Sequence, residues 1–157
     1  MPVIIDDPKG PLSEAALVDA ENAIGGRFPA DYRRFMLEYN GGCPTPETFS
    51  IDWPNQGPAS ADWRTSMVSS FYAIREADAN LVSMNLVTFH GRLPKGALTI
   101  GRDPGGNQIL LGIAAPIQGQ VMFWVKDYEV EEDDEPNFDN VGILASSFDE
   151  FLNRKLR

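Results

Sequence analysis

The main change in the hydrophobic period of this sequence falls at Ala97, and that change restricts the fold more than any other feature. Before residue 97 apolar residues recur mainly at three- and four-residue spacing, which predicts amphipathic helices. From Ala97 onward, short β-rich segments alternate with turns, which predicts hairpin-linked strands. Helices segregated from consecutive strands are typical of α+β domains. We therefore predict N-terminal helices and a C-terminal helix packed on a largely antiparallel sheet of about five or six strands.

Four segments combine helical spacing with residues that start or end helices. They are residues 13–25, 28–42, 76–90 and 147–157. Ser13 and Ser147 are predicted N-caps, and Ser147 forms a capping box with Glu150 three residues later. The Asn-Gly-Gly at the end of the second segment tolerates the positive φ of a helix end. The apolar faces of these helices and of the strands predict five buried aromatic residues: Tyr32, Phe35, Trp124, Phe148 and Phe151.

Strand signals are concentrated in the second half of the chain. The predicted strands are residues 67–74, 98–100, 108–113 and 120–125. Three other segments are defined by composition: an N-terminal segment (1–12), an irregular loop insertion (43–66) with a short strand at 48–51, and an acidic loop (127–139). The sequence shows no repeat and no dividing linker, so we predict that residues 1–157 form a single domain.

The net charge of −10 is concentrated in one segment. Residues 127–139 contain eight acidic residues and no basic one, so the rest of the chain carries only −2. Such a chain is unsuited to direct nucleic-acid binding, which depends on clustered Lys and Arg. Its longest apolar stretch, Ile109–Ala115, has seven residues, whereas a membrane span needs about 20. The N-terminus also lacks the features of a signal peptide, so we expect a cytoplasmic protein that binds no membrane.

The sequence contains no group of residues that predicts catalysis. His90 is the only histidine and Cys43 the only cysteine, which excludes paired-histidine metal sites and an internal disulfide. The glycines at positions 101 and 106 imitate a phosphate-binding loop, but Asn107-Gln108 stands where Lys and Ser/Thr are required. The acidic run lacks the spacing of a calcium loop. We therefore predict no catalytic residue, no metal and no cofactor.

Four motifs occur in the order of a known family. Residues 28–42 resemble the signature LP-x-D-Y-x-x-F-L-x-x-N-G-G of the SUKH superfamily, with Phe replacing the usual first Leu. Residues 98–111 are similar to its I-G-x-D-x-G-G-D-x-I hairpin, with Asn replacing the usual second Asp. Residues 121–124 resemble the strand that follows, and residues 146–152 resemble the closing helix. Together the motifs extend over roughly residues 13–156, which is most of the chain.

This resemblance implies a non-enzymatic α+β module that binds another protein. Bacterial members of the superfamily are typically immunity proteins, which neutralise a toxin, often a nuclease, delivered by neighbouring cells. The resemblance therefore implies that the partner is a cognate toxin domain with a basic surface, bound by a monomer or a weak homodimer. The alternative is an intracellular scaffold or regulatory adaptor like the yeast members, which regulate cell-wall assembly.

The predicted partner-binding residues are the acidic run and two tryptophans. Protein interfaces commonly combine charge complementarity with a few aromatic anchors, which here are either the two tryptophans or Tyr128 and Phe138 inside the run. The residues are Asp127, Glu129, Glu131, Glu132, Asp133, Asp134, Glu135, Trp53 and Trp63. A solvated loop with no partner is the competing interpretation of the acidic run. The sequence leaves open whether the run and the tryptophans lie on one face.

Overall fold

A five-stranded antiparallel sheet organises the fold in a computed structural model, which describes residues 2–54, 57–77 and 80–157. In chain order the strands are β1 (Ile4–Asp6), β2 (Cys43–Thr45), β3 (Thr48–Ser50), β4 (Thr65–Met67), β5 (Ser70–Phe71), β6 (Ala97–Arg102), β7 (Gln108–Gly112), β8 (Val121–Trp124) and β9 (Val141–Ala145). The helices are α1 (Glu14–Ile24), α2 (Ala30–Glu38), α3 (Pro58–Asp62), α4 (Leu81–Ser83) and α5 (Phe148–Glu150). Helices α4 and α5 continue as π-helical turns over Met84–Thr88 and Phe151–Lys155, and a 3-10 turn covers Lys126–Tyr128.

The large sheet has the order β5-β6-β7-β8-β9, and every neighbouring pair is antiparallel. This arrangement confirms the predicted α+β class and the largely antiparallel sheet. Two further pairs, β1–β2 and β3–β4, form small antiparallel ribbons. Backbone bridges join the outer strands of the large sheet to neighbouring segments, from Phe71 to Gly42 at one edge and from Ile143 to Asp52 at the other. Such bridges occupy backbone groups that an open edge would expose.

Capping residues set the ends of the two N-terminal helices. The Ser13 hydroxyl accepts the backbone N–H three residues later at 3.1 Å, and α1 ends at Gly25 with a φ of +92°. Asn40 and Gly41 follow α2 with φ angles of +53° and +82°. A Cβ at Gly41 would lie 2.9 Å from the Phe71 carbonyl oxygen, so this turn requires glycine. Both helix ends predicted from the sequence are confirmed.

The cap of α5 differs from the predicted capping box by one residue. The Ser147 hydroxyl accepts the Glu150 backbone N–H at 3.0 Å, as expected. The Glu150 carboxylate, however, accepts the N–H of Ser146 rather than that of Ser147, also at 3.0 Å. This hydrogen bond lowers the pKa of Glu150 below its ordinary value.

The interpretation of residues 43–66 as an irregular loop insertion is wrong at β2, at α3 and at the start of β4, whereas the short strand predicted inside it at 48–51 is confirmed by β3. Positions 55 and 56 of that stretch lie outside the described residues. Strands β2 and β4 are only three residues long and β2 includes Pro44, so neither has an alternation long enough to signal it. Their hydrogen bonds come from partners distant in the chain, as in the register of Ile4 with Thr45.

Two other element predictions need correction. The predicted strand over 67–74 is two short strands, because β4 ends at Met67 and β5 covers only Ser70–Phe71. The predicted helix over 76–90 begins only at Leu81, where the Asn80 side chain accepts the N–H of Ser83 at 2.9 Å. Positions 78 and 79 of that prediction lie outside the described residues. The sequence predicted no strand at the positions of β1 and β9.

The pleat of the central strands separates two apolar clusters. Ile109 and Phe123 face the larger cluster with residues of α1, α2 and α5, whereas Leu110 and Trp124 face a smaller one that contains Phe89. Successive strand residues point to opposite faces, so strands buried on both sides become continuously apolar. The five aromatic residues predicted to be buried expose 5% of their surface or less, which confirms that prediction: Tyr32, Phe35, Trp124, Phe148 and Phe151.

Tyr32 places a hydroxyl inside the larger cluster, where no described residue offers a hydrogen-bond partner. Its ring packs edge-on against Phe148 at 5.2 Å, and burial holds the pKa of the phenol far above its ordinary value. A buried polar atom left unpaired costs about 1–3 kcal/mol. Tyr32→Phe is therefore expected to raise the free energy of unfolding by about 1 kcal/mol, measured by urea denaturation.

Tyr72 provides the matched control for this substitution. It is also buried, but its hydroxyl donates to Gln108 Oε1 at 2.7 Å. Tyr72→Phe should therefore lower the free energy of unfolding by about 1 kcal/mol. Equal effects of the two substitutions would contradict the assignment of an unpaired hydroxyl to Tyr32.

Candidate partner-binding surface

The turn between β6 and β7 is built around the buried carboxylate of Asp103. Only 2% of Asp103 is exposed. Its Oδ1 accepts hydrogen bonds from the backbone N–H groups of Gly105, at 2.9 Å, and Asn107, at 2.8 Å. Its other oxygen accepts the Asn107 side-chain amide at 3.0 Å. The carboxylate therefore closes the turn, because it satisfies backbone donors that the tight chain reversal leaves unpaired.

The same turn connects the two segments predicted to bind a partner. Asn107 Oδ1 accepts the N–H of Lys126 at 3.0 Å, where the chain enters the acidic loop. The Ser66 hydroxyl donates to Asp103 Oδ2 at 2.9 Å, from β4 at the end of the tryptophan segment. Asp103 and Asn107 thus hold the starting point of the acidic loop against β4. The sequence motif that contains them has a structural role here.

The acidic loop runs over residues 127–139 and is largely exposed. Asp127, the run of five acids at 131–135 and Asp139 are exposed, whereas Glu129 is half-buried. The Tyr128 hydroxyl donates to the carboxylate of Asp62 at the end of α3, and this bond raises the pKa of Tyr128. The acidic loop therefore contacts the segment that carries the tryptophans, an arrangement the sequence left open.

Arg92 fixes the acidic loop to the turn that follows the π-helical residues Met84–Thr88. Its Nη2 and Nε donate to the two carboxylate oxygens of Glu129, at 2.7 Å and 3.1 Å. Its guanidinium also lies over the rings of Phe89, 4.7 Å from the centroid, and Trp124, at 5.6 Å. A bidentate ion pair stacked on aromatic rings has far less freedom than an isolated surface pair. Glu129 is therefore committed to this contact within the chain.

A cleft of about 660 Å³ lies between the acidic loop and the turn after α4. His90, Gly91 and Arg92 line one side, and the segments 129–132 and 134 line the other. Three of the acids, Glu131, Glu132 and Asp134, reach it from an exposed part of the loop. The cleft therefore presents carboxylates to solvent next to a fixed scaffold.

Trp53 and Trp63 are half-buried and pack on the larger apolar cluster. The Trp53 indole N–H donates to the carbonyl oxygen of Trp63, and the Trp63 ring lies 5.9 Å from that of Phe123. Both indoles therefore stabilise the segment that carries them. The sequence indicated two aromatic residues beside an acidic run, but it did not show that their rings turn inward.

The exposed apolar side chains lie elsewhere. Among the described residues, six large apolar side chains are exposed: Ile4, Met67, Leu86, Val87, Tyr128 and Phe138. Two of these belong to the acidic loop and two to the helical stretch that precedes the cleft. Sequence analysis missed Leu86 and Val87, although their positions between inward-facing Leu81 and Phe89 could have indicated an outer helix face.

The two reactive side chains considered in the sequence, His90 and Cys43, line different clefts. His90 is exposed at the cleft, whereas Cys43 is half-buried in β2 beside Asp7 and Lys9. Burial raises the pKa of the Cys43 thiol, which disfavours the nucleophilic thiolate. Within the described ranges, no three His, Cys, Asp or Glu side chains are arranged to hold a metal ion. Nor does any described helix have the length and apolarity that crossing a membrane requires.

Fold and surface together define a small α+β domain with an acidic loop presented on a rigid turn. The chain belongs to the SMI1/KNR4 family (SUKH-1), whose model matches residues 11–154. This match confirms the resemblance seen in the motifs, and the family is generally non-enzymatic. The chain is also similar to the SPbeta prophage-derived uncharacterized protein YokK of Bacillus subtilis (strain 168). The two are 28% identical over 146 residues, which cover 87% of this chain and 70% of that protein.

Proposed function

We propose that this protein is a cytoplasmic, non-enzymatic immunity protein that binds a cognate toxin domain through its acidic loop. The observation that carries the proposal is the fixed, exposed loop itself. Eight carboxylates within thirteen residues repel one another, yet Asn107 and Arg92 hold the loop at defined points. A preformed acidic surface pays less ordering entropy on binding than a disordered one.

The chemistry of nuclease toxins supports a basic partner. A nuclease must hold a phosphate backbone, so its cleft is rich in Lys and Arg. An acidic protein is attracted to that cleft over long range, which speeds association and makes it sensitive to salt.

The test begins with the genes beside the one for this chain: a toxin gene there supplies the toxin domain, purified with its catalytic residues substituted, and an isolated gene would favour the adaptor alternative. In Glu131→Gln/Glu132→Gln/Asp134→Asn the three exposed acids of the cleft become neutral. We expect the association rate constant at low salt to fall about tenfold or more, with a flatter salt dependence. Stopped-flow mixing at several salt concentrations measures both, and thermal unfolding checks that the fold is retained.

The matched control changes net charge by the same amount elsewhere. Asp19, Glu38 and Glu47 are exposed acids on α1, on α2 and before β3. Asp19→Asn/Glu38→Gln/Glu47→Gln should leave the association rate within about twofold of the unsubstituted protein. If both triple variants associate more slowly by the same factor, net charge alone determines the association rate, and the position of the acids in the loop does not. Failure of the unsubstituted protein to bind the toxin or to protect a host expressing the active toxin would favour the adaptor alternative.

A further inference from the structure

The outer face of α4 and its π-helical continuation is apolar and has no covering element among the described residues. Val87 exposes 75% of its surface and Leu86 exposes 41%. Leu81 and Phe89, on the opposite face, expose 8% or less and belong to the apolar clusters. The stretch therefore differs from a usual amphipathic surface helix, because apolar residues occupy its outer face as well as its buried face.

This apolar face leads directly into the acidic cleft. The carbonyl oxygen of Thr88, the residue after Val87, accepts a hydrogen bond from Arg92 Nη1 at 3.3 Å. Arg92 in turn holds Glu129 of the acidic loop, and His90 lines the cleft. Arg92 thus connects the backbone directly after Val87 to the acidic loop.

We infer that Leu86 and Val87 form the apolar centre of the partner-binding surface and receive an apolar side chain of a cationic protein. This inference rests on the proposed function. Protein interfaces concentrate their energy in a small apolar centre, surrounded by polar and charged groups that exclude water. Of the six exposed large apolar side chains in the described part of the chain, four lie on this helix or in the acidic loop: Leu86, Val87, Tyr128 and Phe138.

Charge distinguishes a cationic partner from a second copy of this chain. A symmetric pair of copies joined through Val87 would bring two acidic loops towards each other, because a two-fold interface uses the same patch on both subunits. Like charges opposed across an interface cost several kcal/mol. A basic protein surface would instead face Glu131, Glu132 and Asp134 with complementary charge.

The two parts of the surface should act on different rate constants. Exposed charges steer the encounter, so the acidic loop sets the association rate and its salt dependence. A desolvated apolar contact forms only in the final complex, so Leu86 and Val87 set the dissociation rate. This division gives the two parts separate experimental signatures.

The experiment compares Leu86→Ala/Val87→Ala with Ile4→Ala/Met67→Ala in binding to the catalytically inactive toxin domain. Ile4 and Met67 are also exposed apolar residues, at 62% and 38%, but they lie in β1 and β4. We expect the Leu86/Val87 variant to dissociate about tenfold faster or more, with an unchanged association rate and salt dependence. The control variant should dissociate within about twofold of the unsubstituted protein. Thermal unfolding verifies that both variants remain folded.

Three results would overturn the inference. Unchanged dissociation of the Leu86/Val87 variant, with slower association of the acidic-loop variant, would reject the apolar centre and leave the proposed function standing. A dimer of this chain that Leu86→Ala/Val87→Ala disrupts in sedimentation velocity would assign the face to a second copy. Absence of toxin binding by the unsubstituted protein would reject the proposed function and, with it, this inference.

Discussion

Replacing Phe35 with Ala is expected to lower the free energy of unfolding by about 3–5 kcal/mol. Phe35 lies on α2 with 5% of its surface exposed. Its ring centroid is 5.0 Å from that of Phe148 in α5 and 5.3 Å from that of Phe71 in β5. The residue therefore joins two helices to the edge of the large sheet, and its removal leaves a cavity that three elements line. Urea denaturation monitored by tryptophan fluorescence measures the change.

Phe138→Ala supplies the control for loss of an aromatic ring as such. Phe138 lies in the acidic loop and exposes 40% of its surface. Its substitution should change the free energy of unfolding by no more than about 0.5 kcal/mol, as for other exposed positions. A loss below about 1 kcal/mol for Phe35→Ala would show that the aromatic cluster does not stabilise the fold.

Helix ends and the central hairpin were predictable because their signals are local. Ser13 and Gly25 act on backbone groups within a few residues, and the 102–107 turn joins strands that are adjacent in sequence. The chemistry of capping and of tight turns is contained in such short segments. The buried aromatic residues were predictable for a related reason, since their helical spacing defines a single face.

Strands β1 and β2 could not be predicted, because each pairs with a segment distant in the chain. Ile4 of β1 pairs with Thr45 of β2, and the three-residue length of both strands gives no periodic pattern. The strand β9 follows an acidic loop and pairs with β8, yet its sequence Val-Gly-Ile-Leu-Ala is equally compatible with other structures. Tertiary contacts decide the structure of such segments.

The acidic run was recognisable from sequence, but its geometry was not. Charge counting gives the same weight to Glu129 and Glu131, whereas Glu129 is paired with Arg92 and Glu131 is exposed at the cleft. The contact of Tyr128 with Asp62 joins segments that are far apart in the chain. The fold therefore determines which of these carboxylates remain available to contact a partner.

The second large loss of stability is expected when Asp103 is substituted, although Asp103 is not one of the proposed partner-binding residues. Asp103→Ala removes the acceptor of two backbone N–H groups, of the Asn107 amide and of the Ser66 hydroxyl. Donors left unpaired in a buried site cost about 1–3 kcal/mol each, and local relaxation recovers part of that cost. The free energy of unfolding should therefore fall by about 3–5 kcal/mol in urea denaturation, as when other buried charged networks are broken.

The same substitution should also mobilise the acidic loop, because Asn107 loses the contact that orients its amide towards the Lys126 N–H. Backbone amides of residues 126–135 should then exchange with deuterium faster than in the unsubstituted protein. Asp103→Asn keeps an oxygen for the backbone N–H groups of Gly105 and Asn107, and it should show about half of the stability loss. Fast exchange confined to the 102–107 turn, with an unchanged acidic loop, would contradict this role, because the loop would then be held independently of Asp103.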